Sequence, residues 1–451
     1  MFGLDLSFPA FMSILALVIL VVISCVNENI NVGYIGIGFG VLVGGLFSNL
    51  SGSAVQKFFP LTLFMLLAGV TFFFGMAQTN GTLQKVTDHA LRLCKGNAAL
   101  IPLMLFAIGS VLTAIGPGNI AVPALMAPLA MAIAHKLKMP AFLMTLIVVG
   151  SANGAGLSPL APTGIISNGL IAQGAAVMGI PADALNGIGW KIFFNCFVAQ
   201  GAVTLVGFLL MGGMKWLKEE AGQELDIDAI APKPEPFTAA QKATIVLILV
   251  LVAMVILPAL PGMKETLPKP FLNITTDVGS VAFILSCILM IAGYGDSKAA
   301  IKAMPWGVIM MVSGVNILIE VMDESGGLNF LVKIMTDIST PTTIMLWTSF
   351  VAAVISAYSS SSGVVMPMFL NMAPGIVQIT GCDPIALCSA IDVGAHLVDT
   401  SPLSTLGAIC LASAAEYEDA GKLFRKLLIW GFSMSIVAAI VCFVFFGLLG
   451  F

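Results

Sequence analysis

The chain has 451 residues, 59% of them hydrophobic and only 9% charged, with a mean hydropathy of +1.04 and a formal net charge of −4. Soluble domains carry roughly 25% charged residues, so this composition excludes one and predicts an all-α polytopic membrane protein. With two arginines and a negative balance, the chain offers no nucleic-acid surface.

About 20 consecutive apolar residues span a bilayer as a helix. Runs of that kind fall near 9–26, 31–48, 58–78, 188–214, 243–260, 274–294, 305–322 and 427–450. Val22-Ile23-Ser24-Cys25 loosely resembles a lipoprotein cleavage box, but no Lys or Arg precedes it. A signal peptide needs a basic n-region, so 9–26 reads as a retained helix. Thr82–Lys95 and Leu328–Ser339 are amphipathic and are expected to lie flat at an interface. The eight cysteines are scattered, without CxxC, and read as small core hydrophobes.

Four further segments are apolar at both ends and interrupted in the middle: 97–135, 139–175, 341–378 and 384–413. In the first, Gly116-Pro117-Gly118-Asn119 and Pro123 cannot all lie in one unbroken helix. Ser158-Pro159-Leu160 and Gly164 in the second recur at one constant offset as Ser401-Pro402-Leu403 and Gly407 in the fourth. Pro60, Gly69-Val70, Gly81 and Leu83 likewise recur as Pro305, Gly314-Val315, Gly326 and Leu328. The chain therefore divides into a first repeat, 1–214, a polar linker, 215–242, and a second repeat, 243–451. Each repeat holds a re-entrant hairpin followed by a broken helix.

Lys and Arg placement orients the repeats. With Thr82–Lys95 cytoplasmic and each hairpin returning to its own side, the basic residues divide 14 to 5 in favour of the cytoplasm. Hairpin 97–135 then enters from the cytoplasm and hairpin 341–378 from outside, so the repeats are inverted. The linker 215–242 is cytoplasmic.

Interrupted helices at matching places in two repeats predict a transporter site near the midplane. A break in hydrocarbon frees amide and carbonyl groups that protein, water or ligand must satisfy. Half-helix N-termini suit a carboxylate, while freed carbonyls and hydroxyls suit a small cation. Candidate substrate residues are Gly118, Asn119, Asn153, Ser158 and Thr163 in the first repeat, and Ser360, Ser361, Ser362, Thr400, Ser401 and Thr405 in the second. Candidate coupling residues are Asn119, Ser151, Asp392, His396 and Asp399, with a Na⁺ site expected among Asn119, Ser151, Ser362 and Asp399. Asp392, His396 and Asp399 share one face if helical; Asp399 serves either as a cation ligand or as the cap of the half-helix after the break. No Lys or Arg lies in any break. An anionic substrate is thus expected to be balanced by helix dipoles and a co-transported Na⁺ or H⁺, with no bound cofactor.

LLAGVTFFFGMAQTNGTL (66–83), ALIPLMLFAIGSVLTAIG (99–116) and GLSPLAPTGIISNG (156–169) resemble the MatC-type dicarboxylate (malonate) carrier family, which is similar to the divalent-anion/sodium symporters of the ion transporter superfamily. The resemblance implies a homodimer in which a fixed scaffold supports an elevator-like moving domain. It departs from the superfamily pattern at both tips: Ile120 follows Asn119 where a threonine is usual, and the second tip is Ser360-Ser361-Ser362-Gly363. The expected function is cation-coupled uptake of a C3 or C4 dicarboxylate across a cytoplasmic membrane of bacterial type. A cation/proton antiporter of the same fold is the rival. An intramembrane hydrolase built on Ser359–Ser362 and His396 lacks any GxSxG, HExxH or paired-aspartate motif.

Overall fold

The computed structural model describes residues 6–27, 30–92, 97–220, 233–259, 263–275 and 278–451. Among these there is no β-strand. Helices α1 (Phe8–Val26), α2 (Val32–Phe47) and α3 (Leu61–Thr79) are followed by the amphipathic α4 (Thr82–Leu91). A hairpin of α5 (Ile101–Ala114) and α6 (Gly118–Lys136) comes next, then the two halves of a broken helix, α7 (Ala141–Ala155) and α8 (Pro162–Gly174). The first half closes with α9 (Leu185–Phe208), which continues through a π-turn, Leu209–Gly213, into Met214–Glu220. The predicted linker is therefore helical at its start; residues 221–232 lie outside the described residues, as do Cys94, Lys95 and the side chain of Cys25.

The second half repeats the order. It runs α10 (Ala239–Ile256), α11 (Val278–Ile291), α12 (Trp306–Glu324) and the amphipathic α13 (Gly327–Asp337). Its hairpin is α14 (Ile344–Ser356) with α15 (Met366–Thr380), the latter preceded by a π-turn, Ser361–Val365. The broken helix is α16 (Pro384–Leu397) with α17 (Thr405–Ala414), and α18 (Ala420–Cys442) closes the chain. Seven helices among the described residues are long and apolar enough to cross a membrane, or eight if Lys269–Thr275 and α11, bent by 94°, form one span. The pieces of the interrupted segments are mostly too short to cross alone.

Two glycine crossings bind the unbroken helices. A Cβ on Gly314 of α12 would collide with the backbone of Gly33 on α2, and one on Gly69 of α3 with that of Gly279 on α11. Small residues let helices in lipid approach until their backbones touch. That is the packing reason for the Gly-Val pair repeated at 69 and 314. The interrupted segments interleave across the halves: α6 packs on α17, and α15 on α8. Gly116 at the first hairpin tip lies against the ring of Phe74 on α3, and Gly363 at the second against Met311 on α12. Both tips thus abut unbroken helices. Of the six described cysteines, all free, five are buried, as expected of small core hydrophobes.

Candidate substrate and ion site

The two breaks fold alike. Ser158 Oγ accepts from the Leu160 amide and Ser401 Oγ from the Leu403 amide, both at 3.3 Å. In each, the serine carbonyl presses on the glycine of the following half-helix, Gly164 or Gly407. These two serines brace the break loops, so their hydroxyl oxygens serve the turn. Pro162 opens α8 at its first position, where its missing N–H would have had no helical partner.

In the first half the hairpin tip meets the break through one polar contact. Thr163 Oγ1 donates to Asn119 Oδ1 at 3.0 Å, with both side chains buried. Gly118 sits beside them at φ +88°, and a Cβ there would come 2.8 Å from Pro162 Cδ. Ser151 faces the hairpin's other leg. Its hydroxyl donates to the Val148 carbonyl at 2.8 Å and its carbonyl accepts from Ser110 at 3.2 Å.

In the second half a carboxylate takes over. Asp399 Oδ1 accepts from Ser361 at 2.6 Å and from Ser404 at 3.2 Å. Ser356, which donates to the Ala395 carbonyl, lies 3.0 Å from Ser361. No side chain caps α17, so Asp399 is held by the hairpin tip and does not cap the half-helix. One residue along, Ser362 Oγ lies 3.2 Å from His396 Nε2, while His396 Nδ1 faces the Asp392 carbonyl at 2.9 Å. A carbonyl only accepts, so the neutral ring carries its proton on Nδ1 and Nε2 accepts from Ser362. Ser360 accepts from the Gly363 amide at 3.1 Å and so caps the π-turn; Thr405 is exposed.

The expected trio of Asp392, His396 and Asp399 is buried, yet the three side chains go to different partners. Asp392 Oδ2 accepts from Ser167 on α8 at 2.6 Å, and its Oδ1 has no hydrogen-bond partner. Asn119, Ser151, Ser362 and Asp399, the residues expected around a Na⁺, each have a partner of their own. Asn119 bonds Thr163, Ser151 bonds its own helix, Ser362 faces His396 and Asp399 bonds Ser361. The two breaks are joined by Asn153, whose Nδ2 donates to the His396 carbonyl at 2.8 Å.

Sequence reasoning missed Ser167 and Ser356. Both are ordinary helical serines whose role depends on a partner from another element. One signal was present. The offset of 243 residues that relates Ser158 to Ser401 also pairs Asn119 with Ser362, Asn153 with His396 and Gly156 with Asp399. The carboxylate stands where the other half has no side chain.

A cavity of about 470 Å³ lies beside these clusters rather than on them. It opens between α3, α8, α9 and α10, is lined by Thr62, Asn168, Gln173 and Trp190, and reaches Pro159 at the first break.

Comparison with known proteins fits this geometry. A model of the N-terminus of dicarboxylate carrier protein MatC matches residues 8–156. No curated protein sequence matches the chain. The YdaH transporter of Alcanivorax borkumensis has a similar fold, with a TM-score of 0.60 at 16% identity over 98% of both chains. So has Neisseria gonorrhoeae MtrF, described as illuminating a class of antimetabolite efflux pumps, with a TM-score of 0.58 at 16% identity over 98% of this chain and 95% of its own. The matched family is a carrier and both folds belong to transport proteins, which fits a protein that is not an enzyme despite its Ser362–His396 contact. Residues 8–156 thus match the N-terminal model of dicarboxylate carrier protein MatC, in a chain whose fold is similar to those of two transport proteins.

Proposed function

We propose that the protein is a secondary carrier that moves a small C3 or C4 dicarboxylate across a bacterial cytoplasmic membrane, coupled to Na⁺ or H⁺ and acting as a homodimer. The observation that carries this reading is the pairing of two hairpin tips with two broken helices, Asn119–Thr163 in one half and Ser361–Asp399 in the other, joined through Asn153 and His396. The half-helices α8 and α17 begin at these breaks, and their N-termini offer N–H donors and partial positive charge to the carboxylates. With no basic side chain in any break, a cation at Asp399 is the remaining source of balancing charge.

Inverted repeats agree with the two glycine crossings and with the basic-residue count. In that arrangement α2, α3, α11 and α12 form the scaffold, and the hairpins with their broken helices form the moving part. The 470 Å³ cavity runs between the two at the ends of α3 and α9 that face outward, and serves as the route to the first break. A hairpin sliding past Phe74 and Met311 is an elevator-like motion.

Thermal melting of the purified protein with mono-, di- and tricarboxylates, with and without Na⁺, tests the substrate class. Malonate or a C4 dicarboxylate is expected to raise the melting temperature. At a hundredfold excess over Kd the stabilisation is about 2.7 kcal/mol. A response to Na⁺ or Li⁺ with none to any dicarboxylate would replace this reading by a cation/proton antiporter.

A further inference from the structure

Asn153 and Gln200 present an unresolved polar arrangement in an otherwise apolar interior. Gln200, on α9, is 1% exposed, and neither Oε1 nor Nε2 has a hydrogen-bond partner. Asn153, 3% exposed, spends its Nδ2 on the His396 carbonyl and leaves Oδ1 without one. Leaving such groups unpaired in a membrane interior is costly, so a ligand that pairs with them is favoured. Both side chains line a small cavity of about 10 Å³ with Thr204, Thr400, Leu397, Gly150 and Trp430. That measure holds one particle the size of a water molecule or a Na⁺ ion.

Helix direction separates these two occupants. Asn153 stands in the last turn of α7, and Leu397 is the last residue of α16. The C-terminal ends of two half-helices therefore meet at this cavity, tied by the Asn153–His396 bond. Each carries partial negative charge and carbonyls without helical donors. A water molecule leaves that charge uncompensated, whereas a small cation neutralises it. The side-chain oxygens available are two amides and two threonine hydroxyls, all neutral and hard, which suits Na⁺ or Li⁺ rather than a transition metal. The Gln200 amide is tethered at neither end, so it is free to turn its oxygen inward.

We propose that Asn153, Gln200, Thr204 and Thr400 form a binding site for one small monovalent cation, distinct from Asp399, at the meeting point of the two half-helix C-termini. The site rests on the carrier reading only for the use made of the ion; binding itself does not. It reassigns Asn153 and Thr400 from substrate to cation.

The test uses the full-length purified protein without substrate. Binding of radiolabelled sodium and melting temperature are measured against Na⁺ concentration, with choline and K⁺ as controls. Wild-type protein is expected to bind Na⁺ and to melt higher in Na⁺ than in choline. Gln200→Leu removes both polar ends at similar volume and is expected to raise the half-maximal Na⁺ concentration roughly tenfold, the effect of about one lost ligand interaction. Thr204→Val, which changes one hydroxyl to a methyl, should shift it in the same direction and serves if Gln200→Leu does not fold. Asp399→Asn should still bind one Na⁺. Equal Na⁺ response in wild type, Gln200→Leu and Thr204→Val overturns the proposal, as does a response lost with Asp399→Asn alone; the cavity then holds water only. Sodium binding that depends on Gln200 in a protein that transports no dicarboxylate would sink the carrier reading and leave this site standing.

Discussion

Asp399 is the residue on which the two halves differ most. Its counterpart at the 243-residue offset is Gly156, against which Asn119 packs closely. One tip therefore closes on a neutral amide–hydroxyl pair, the other on a carboxylate held by Ser361 and Ser404. A buried carboxylate needs a cation, a proton or several donors, and two hydroxyls on one oxygen leave the other available. If Asp399 carries the coupling ion, Asp399→Asn removes its charge while keeping its shape. Gradient-driven accumulation in sealed vesicles should then fall by roughly 5–150-fold, the range of ordinary coupling energies, while substrate counterflow continues. Equal loss of uptake and counterflow would instead assign Asp399 to substrate binding or folding. Ser361→Ala keeps the charge and removes one donor, so it should weaken coupling less than Asp399→Asn does.

Among the elements, the glycine crossings set how close the unbroken helices approach. Gly314→Ala would drive a methyl into the Gly33 backbone, and no side chain can move aside to receive it. Overpacking of this sort costs about 1–3 kcal/mol. Gly314→Ala should lower the melting temperature, and Gly69→Ala should do the same through Gly279. By contrast Gly38, which has nothing within 4 Å of an added Cβ, should accept alanine with unchanged melting. If Gly38→Ala proves as damaging as Gly314→Ala, backbone contact is not what the repeated glycines provide. The same reasoning bears on how to probe the first tip. Gly118 combines φ +88° with Pro162 at 2.8 Å from a built Cβ, so cysteine there would strain the site it reports on. Ala121, half-buried on the following turn, is the better probe.

Over the whole molecule, the proposed inversion of the two halves makes a prediction about sides. Gln84 on α4 and Lys333 on α13 lie on the amphipathic helices that precede the two hairpins, and both are accessible. In a background without native cysteines, Gln84→Cys should react with a membrane-impermeant thiol reagent only from the cytoplasm. Lys333→Cys should react only from outside. Malonate-type substrate should slow labelling of both Ala121→Cys and Ser362→Cys, because one bound molecule shields both tips. Reaction of Gln84→Cys and Lys333→Cys from the same side would refute the inversion and the route assigned to the 470 Å³ cavity.

The membrane class and the four interruptions followed from the sequence alone, because both are local properties. Composition reports the solvent, and Gly116-Pro117-Gly118 or Ser158-Pro159 cannot continue a helix whatever surrounds it. The helices end within a few residues of where those breakers predict. The likeness to the MatC family was also legible, since two of the contiguous stretches that carry it, 66–83 and 99–116, lie within the matched residues 8–156. Partners were not legible. That Asp399 goes to Ser361 and His396 to Ser362 depends on a hairpin tip meeting the broken helix of its own half, and that Asp392 goes to Ser167 depends on α16 meeting α8 across the halves, at separations of 34 to 225 residues. Periodicity places side chains on a face of their own helix and carries no information about which foreign element covers that face. For the same reason the spacing of Asp392, His396 and Asp399 places them on one face if helical, whereas the tertiary structure sends the three side chains to separate partners. Gln200 gave no signal at all in the sequence; only the meeting of α7, α9 and α16 makes an ordinary glutamine an amide with nothing to bind.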